Sequence, residues 1–173
     1  MSINNKKRGF TLIELIVSIG LFSIVVLMTS GAYFIMISIN RQAQGIATGI
    51  NSLSFALETM TRTIRTGTSY KCPAVTGGDC SGGTSFSVVN AGNEISYTLS
   101  GGVINQNGIA LTDQSVNVSS LVFYVSGTAK PPGDLRQPRV TMIVSGDVSY
   151  GPKPEQKKSF TVETGATMRG SDL

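Results

Sequence analysis

An uninterrupted run of uncharged residues from Leu15 to Ile39 limits what this chain can fold into more than any other feature. A helix of that length is roughly 37 Å long, because each residue adds about 1.5 Å, and it can cross a hydrocarbon core of about 30 Å. Lys6, Lys7 and Arg8 precede the run, and basic residues favour the cytoplasmic side of a membrane. The sequence therefore predicts one membrane-spanning helix with its N-terminus in the cytoplasm and the remainder of the chain outside.

Glu14, immediately before this run, helps to distinguish between the ordinary interpretations of such a segment. A secretory signal peptide has an apolar core of about 7–15 residues, which is much shorter than this run. A plain signal anchor explains the length but not the carboxylate, because a charge inside a membrane costs on the order of 2.5–3.5 kcal/mol. A glutamate that reaches back to the membrane surface is an alternative for Glu14 alone. An intramembrane carboxylate otherwise indicates a function and a partner.

The segment Lys7-Arg8-Gly9-Phe10-Thr11-Leu12-Ile13-Glu14-Leu15 resembles the processing signature of type IV prepilins and pseudopilins, and the resemblance covers about the first 30 residues. It implies that a membrane-embedded prepilin peptidase cuts after Gly9 and methylates the new amino group of Phe10. It also implies that the helix later leaves the bilayer for the core of a filament. There Glu14 pairs with the terminal amino group of a neighbouring subunit.

Physical chemistry supports such a pairing. A buried ion without a partner costs several kcal/mol, so each subunit is driven to satisfy its charge with that of another. The implied partners are the prepilin peptidase, other pilins or pseudopilins, and an assembly platform in the inner membrane. The implied location is a single pass through the inner membrane, followed by a pilus or pseudopilus.

The charge after Gly9 is nearly balanced, with 11 basic and 10 acidic side chains, because Lys6, Lys7 and Arg8 account for three of the 14 basic residues. A nucleic-acid interface needs basic residues clustered on a folded face, and no such cluster occurs beyond the N-terminus. We therefore expect no nucleic-acid partner.

An apolar stripe predicts that the helix continues beyond the membrane as far as residue 66. The residues of the stripe recur in steps of three and four: Ile46, Ile50, Leu53, Leu57, Met60 and Ile64. Glu58 and Arg62 lie off the stripe, four residues apart, where opposite charges attract. Gly67 is suited to a C-cap. We expect the stripe to pack on the chain's own globular domain.

Period-two patterns beyond Gly67 predict a mostly antiparallel sheet. The predicted strands are Thr84–Asn90, Glu94–Leu99, Val103–Ile104, Val116–Val125, Val140–Val144 and Phe160–Val162. Gly101-Gly102 and Asn107-Gly108 are turn signals. The segments Gly77-Gly78-Asp79 and Ser81-Gly82-Gly83 are interpreted as flexible turns in a loop that also contains Cys72 and Cys80.

Cys72 and Cys80 are expected to form a disulfide, because two cysteines that flank a short loop outside the reducing cytosol are more often bridged than free. Two unpaired thiols are the alternative. A structural staple is expected here, because Lys71 is the one basic residue next to either cysteine.

The predicted fold class is α+β and type IV pilin-like: a long N-terminal helix packed on a mostly antiparallel β-sheet domain. Residues 1–9 form a cleaved basic leader, 10–39 a transmembrane and filament-core helix, 40–66 its amphipathic continuation, and 67–173 an extracytoplasmic β-rich domain.

Residues 50–126 resemble, more loosely, the J-type minor pseudopilins of type II secretion systems. The chain lacks His, and its acidic residues are scattered, so no enzyme, metal site or cofactor is expected. The expected function is that of a subunit at the tip of a secretion pseudopilus. A minor subunit of a type IV pilus, used for adhesion, motility or DNA uptake, is the alternative.

Overall fold

A 55-residue helix, α1, from Leu12 to Thr66, is the longest element of the chain. The computed structural model describes residues 9–72, 75–76, 78–129, 136–151 and 153–170. The chain divides into two units, Met1–Arg41 and Gln42–Leu173. The predicted fold class, α+β with one long N-terminal helix and antiparallel sheets, is confirmed.

The described part of the first unit is almost entirely exposed apolar helix. This part of α1 is long and apolar enough to cross a membrane by length and composition, and none of the apolar window is buried. Its hydroxyl groups bond to main-chain carbonyl groups of the same helix: Ser18 Oγ donates to Glu14 O at 2.7 Å, and Ser30 Oγ donates to Val26 O at 2.7 Å. Because these polar atoms are satisfied within the helix, they add little to the cost of placing the segment in lipid.

The described residues of the second unit form ten strands in two antiparallel sheets. The first sheet has the order β2-β1-β4-β5-β6-β7, and the second has the order β10-β9-β8-β3. The strands are β1 Thr68–Cys72, β2 Val75–Thr76, β3 Cys80–Gly83, β4 Ser85–Asn90, β5 Asn93–Ser100, β6 Val103–Gln106, β7 Ile109–Ala110, β8 Val116–Ser126, β9 Arg139–Ser149 and β10 Lys157–Thr167.

All six predicted strands exist, and the prediction underestimated the lengths of the last two. β9 and β10 form a hairpin that is paired along 11 residues of each strand. The glycine turns also formed as predicted, since Asn107 and Gly108 both have positive φ angles, of 51° and 81°. Such angles are typical of tight hairpin turns.

The prediction was wrong about the segment around the cysteines. Cys72 ends β1 and Cys80 begins β3, so both lie in strands and not in one loop. Ser81, Gly82 and Gly83 belong to β3, where the main chain pairs with Tyr124 and Phe123 of β8. β3 has no buried side chain, so the pairing of its main chain with β8 is what holds it in place.

The helix contacts the sheets through a face that is partly different from the predicted stripe. Leu53, Met60 and Ile64 are buried as expected, but Ile50 is 53% exposed. The other buried residues of the helix are small or polar: Gly49, Ala56 and Thr63. A Cβ atom at Gly49 would collide with the side chain of Val148. The helix therefore approaches the sheet most closely where its residues are small, and Ile50 is rotated away from the sheet.

Stacked aromatic rings connect the two sheets inside the core. Phe86 of β4 and Phe123 of β8 are fully buried, with ring centroids 5.3 Å apart. Tyr70 of β1 lies next to Phe86, at 5.8 Å between centroids. Packed aromatic pairs of this kind contribute about 0.5–1.5 kcal/mol beyond the area that they bury.

The C-terminus of α1 is satisfied by side chains from the first sheet. The Tyr70 hydroxyl is buried and donates to Ile64 O at 2.7 Å, and Asn90 Nδ2 donates to Thr66 Oγ1 at 2.8 Å. Gly67 follows the helix as predicted, but not in the left-handed conformation of a glycine cap. Its Cβ position would coincide with the side chain of Val88, so the glycine is required for close packing.

We predict that Tyr70→Phe lowers the free energy of unfolding by about 1–2 kcal/mol, because it removes a buried hydrogen bond from the end of α1. Burial raises the Tyr70 pKa to about 12 from its ordinary value of about 10. A raised folded-state pKa means that the contribution of the hydroxyl is complete below pH 10. The advantage of wild type over Tyr70→Phe should therefore disappear as the pH rises from 10 towards 12.

Tyr97→Phe is the matched control, because the Tyr97 hydroxyl is buried and no described residue lies at hydrogen-bond geometry to it. Its free energy of unfolding should not fall, because the change removes a buried hydroxyl whose desolvation no hydrogen bond offsets. Denaturant titration of the full chain in detergent, followed by near-ultraviolet circular dichroism, makes the comparison. Equal losses in the two variants would contradict the proposed role of Tyr70.

Candidate functional site

The start of α1 presents an accessible main chain. Gly9, Phe10 and Thr11 precede the first helical residue, and all three are exposed. Phe10 is 84% exposed, and no heavy atom lies near the Cβ position of Gly9. An enzyme could therefore reach the Gly9–Phe10 peptide bond without unfolding a helix. The leader residues Lys6, Lys7 and Arg8 lie outside the described residues.

Thr11 and Glu14 form a reciprocal cap at the first turn of α1. The Glu14 N–H donates to Thr11 Oγ1 at 3.4 Å, and the Thr11 N–H donates to Glu14 Oε2 at 3.5 Å. This is the capping-box arrangement, which satisfies two helix N–H groups that would otherwise lack partners. The sequence contains its signature, Thr-x-x-Glu before an apolar run, but the sequence analysis missed it.

The cap gives Glu14 a role within its own chain. The carboxylate is exposed and makes no ion pair with any side chain in the described residues. The predicted intermolecular role of Glu14 thus remains a prediction. Among the described residues, its carboxylate accepts only the weak hydrogen bonds of the cap. The predicted surface pair further along α1 is confirmed, because Arg62 Nη2 lies 3.1 Å from Glu58 Oε1.

Cys72 and Cys80 form a disulfide, with their Cα atoms 6.2 Å apart. Because Cys72 is in β1 and Cys80 is in β3, the bridge joins the two sheets. Lys71, next to Cys72, forms an ion pair with a carboxylate, because its Nζ lies 3.1 Å from Glu94 Oε1. A hydrogen bond from the Ser87 hydroxyl, and next a hydrogen bond from Lys71, lower the pKa of Glu94.

Hydrogen bonds within the chain also occupy the carboxylate closest in sequence to Cys80. Asp79, next to the disulfide, accepts hydrogen bonds from the main chain and the hydroxyl of Thr128, each at 3.0 Å. The Thr128 N–H is the largest cause of a lowered Asp79 pKa. No group of three His, Cys, Asp or Glu side chains is placed to hold a metal ion within the part of the chain that the structure describes.

Comparison with known proteins matches one family model. Residues 4–30 match the prokaryotic N-terminal methylation motif. No curated protein and no solved structure matches the chain. The matched segment contains the exposed peptide bond, the capping box and the start of the apolar helix. It supports a type IV pilin or pseudopilin that is processed by prepilin peptidase and assembles with other pilins. The motif and the apolar helix also fit a single-pass inner-membrane protein.

We predict that replacing both Cys72 and Cys80 with alanine lowers the free energy of unfolding by about 2–3 kcal/mol, because the bridge restricts the unfolded chain. Reductant should destabilise the wild-type chain by a similar amount and leave the double variant unchanged. Denaturant titration with and without reductant measures both effects. Thiol labelling provides the check, since two reactive thiols in the native, unreduced protein would contradict the bridge.

Proposed function

We propose that this chain is a minor pseudopilin that assembles at the tip of a type II secretion pseudopilus and displays residues 67–173 outside the inner membrane. The observation that carries the proposal is the methylation motif at residues 4–30, on a helix whose apolar surface has no cover in the first unit. The looser likeness of residues 50–126 to J-type minor pseudopilins supports the choice of subunit. The proposed role is structural, and no catalytic step is assigned to the chain.

Processing depends on the accessible chain before α1. In this proposal, the prepilin peptidase binds the extended segment around Gly9, where a side chain would obstruct the approach. Hydrolysis of the Gly9–Phe10 bond removes the three basic leader residues that hold the N-terminus in the cytoplasm. Methylation of the new Phe10 amino group keeps its positive charge.

Cleavage changes what Glu14 can bind. Before cleavage, its nearest partners are the N–H and hydroxyl of Thr11, at 3.5 Å each. Afterwards, each subunit carries a cation at Phe10, and a neighbour's carboxylate is its natural partner in surroundings of low dielectric constant. An ammonium and a carboxylate both carry a full charge and form a short hydrogen bond of about 2.7–2.9 Å, so the intermolecular contact outcompetes the 3.5 Å contacts of the cap.

A minor subunit of a type IV pilus is the second candidate, because the N-terminal motif is common to both kinds of filament. Deletion of the gene distinguishes the two. A loss of protein secretion supports the pseudopilus, whereas a loss of adhesion, motility or DNA uptake with normal secretion supports the pilus.

We predict that Gly9→Leu leaves the leader attached, because a bulky side chain obstructs the peptidase at the cleaved bond. Gly20→Leu is the matched control: it adds the same side chain to an exposed helix position with no neighbouring atoms. Intact-mass measurement of protein purified from a host that makes the peptidase decides the matter. The control should start at methylated Phe10. Any other N-terminus in the wild-type protein would overturn the proposed processing.

We predict that Glu14→Gln is processed normally but enters filaments or tip complexes poorly, because glutamine keeps the cap and loses the charge. Thr11→Ala is the complementary control, since it removes the hydroxyl acceptor of the cap and keeps the carboxylate. It should assemble nearly as well as wild type. Crosslinking to co-expressed subunits measures incorporation.

The capping role of Glu14 and its pairing role give opposite results in this comparison. If Thr11→Ala fails to assemble while Glu14→Gln succeeds, the carboxylate acts through the cap and the pairing mechanism is wrong. Ser18→Ala, one turn further along α1, controls for any change to this helix face.

A further inference from the structure

A groove lies between α1 and β10 in the second unit, with a volume of about 330 Å³. We call it the α1–β10 groove. Its lining is mostly apolar, and Lys158 is the one charged side chain in it. The main lining residues are Ile46, Ile50 and Leu57 of α1 and Lys158, Phe160 and Val162 of β10. The rotation of α1 that buries Gly49 and Ala56 is what leaves Ile50 at this position, 53% exposed.

β10 borders the groove with an unpaired edge. It lies at the end of the four-stranded sheet, and no strand in the described residues pairs with its other side. The hairpin with β9 runs for 11 residues without a register shift. Long, regular edges of this kind are templates for another strand, and proteins usually cover or interrupt them.

The hydrogen bonds at the two ends of β10 show which main-chain groups are free. Gln156 O accepts from the Tyr150 N–H, and the Met168 N–H donates to Pro138 O. The register between these two bonds is continuous. The main-chain N–H and C=O groups of even-numbered residues of β10 therefore point towards β9, and those of odd-numbered residues point towards the free edge. The main-chain groups of Lys157, Ser159, Thr161 and Glu163 therefore point away from the sheet.

The side chains of β10 alternate in the same way. Phe160 and Val162 are half-buried and line the groove, whereas Thr161 and Glu163 are exposed and do not line it. A strand added at the free edge would bond to the odd-numbered residues. Its side chains opposite Phe160 and Val162 would enter the groove.

We propose that the α1–β10 groove and the free edge of β10 form a docking site for an extended segment of another filament subunit. The segment adds an antiparallel strand to β10, inserts apolar side chains opposite Phe160 and Val162, and places a carboxylate opposite Lys158. Unpaired main-chain groups select an extended partner, since a helix has no free N–H and C=O groups to offer along its length. The positive charge of Lys158 in the lining of the groove favours an acidic residue at that position.

This inference rests on the proposed function only for the identity of the partner as a filament subunit. The site itself can be probed with the capped heptapeptide Lys-Val-Thr-Val-Thr-Glu-Thr, labelled with a fluorophore. In an antiparallel pairing its two valines lie opposite Val162 and Phe160, its glutamate lies opposite Lys158, and its lysine lies opposite Glu163. The control peptide carries lysine in place of the glutamate.

Fluorescence anisotropy with the full chain in lipid nanodiscs measures binding. We expect saturable binding of the glutamate peptide and about fivefold weaker binding of the control peptide, because a like charge then faces Lys158. Ile50→Asp should weaken binding about tenfold, whereas Phe55→Asp should not. Both residues are exposed on α1, but Phe55 does not line the groove.

A second pair of variants tests the strand edge itself. Thr161→Pro removes an N–H that points to the free edge, and it leaves the bonds to β9 intact. Thr161→Val keeps the N–H, and both variants lose the same hydroxyl contact with Ser145. We expect binding to be lost in Thr161→Pro and kept in Thr161→Val. Equal binding by the two variants, or equal losses in Ile50→Asp and Phe55→Asp, would overturn strand docking.

Two further results would also overturn the inference. If the chain self-associates and Thr161→Pro abolishes this self-association, the occupant is a second copy of the chain. If the peptide binds equally well to nanodiscs that lack the protein, the binding is a membrane effect. Intact mass separates this inference from the proposed function. If wild type is cleaved and methylated but the peptide does not bind, docking fails and the pilin-like function stands. If the wild-type N-terminus is not processed, the proposed function fails whatever the peptide does.

Discussion

The close contact between α1 and the sheets is the interaction on which the second unit depends. Gly49 and Ala56 allow the helix to approach, and Leu53, Met60 and Ile64 then fill the space above the sheets. Because protein interiors are packed like crystals, the helix cannot rotate to bury Ile50 without opening a cavity elsewhere. The same contact thus determines the core and leaves an apolar groove beside β10. The disulfide and the Phe86–Phe123 stack then hold the two sheets together beneath the helix.

The described part of the first unit has the opposite character, since its apolar surface is exposed. Exposed hydrophobic surface of this extent requires lipid or other protein chains around it. A helix that is satisfied in its own hydrogen bonds can exchange one apolar environment for another at little cost, which is what transfer from a bilayer to a filament demands. Glu14 is the exception, because its carboxylate is exposed and makes no ion pair with any side chain in the described residues. The chemistry of the segment therefore favours association once the leader has been removed.

Several features could be predicted from local sequence because they depend on neighbouring residues alone. The length of the apolar run, the Glu58–Arg62 pair and the Asn107-Gly108 turn need no knowledge of distant parts of the chain. The methylation motif is local in the same sense, since it lies within residues 4–30. The capping box of Thr11 and Glu14 was equally local, and its pattern was present in the sequence.

What could not be predicted depends on residues that are far apart in the chain. β3 is a strand because β8, some 40 residues later, presents its main chain to it, and not because its glycines favour an extended conformation. The capping of α1 by Tyr70 and Asn90 likewise requires the first sheet to be in place. The sequence by itself determined an apolar helix with a processing motif and a set of alternating strands, because periodicity and charge act locally. Only the tertiary structure decided which face of that helix is buried, because the smallest side chains, and not the most apolar ones, set how closely a helix and a sheet can approach.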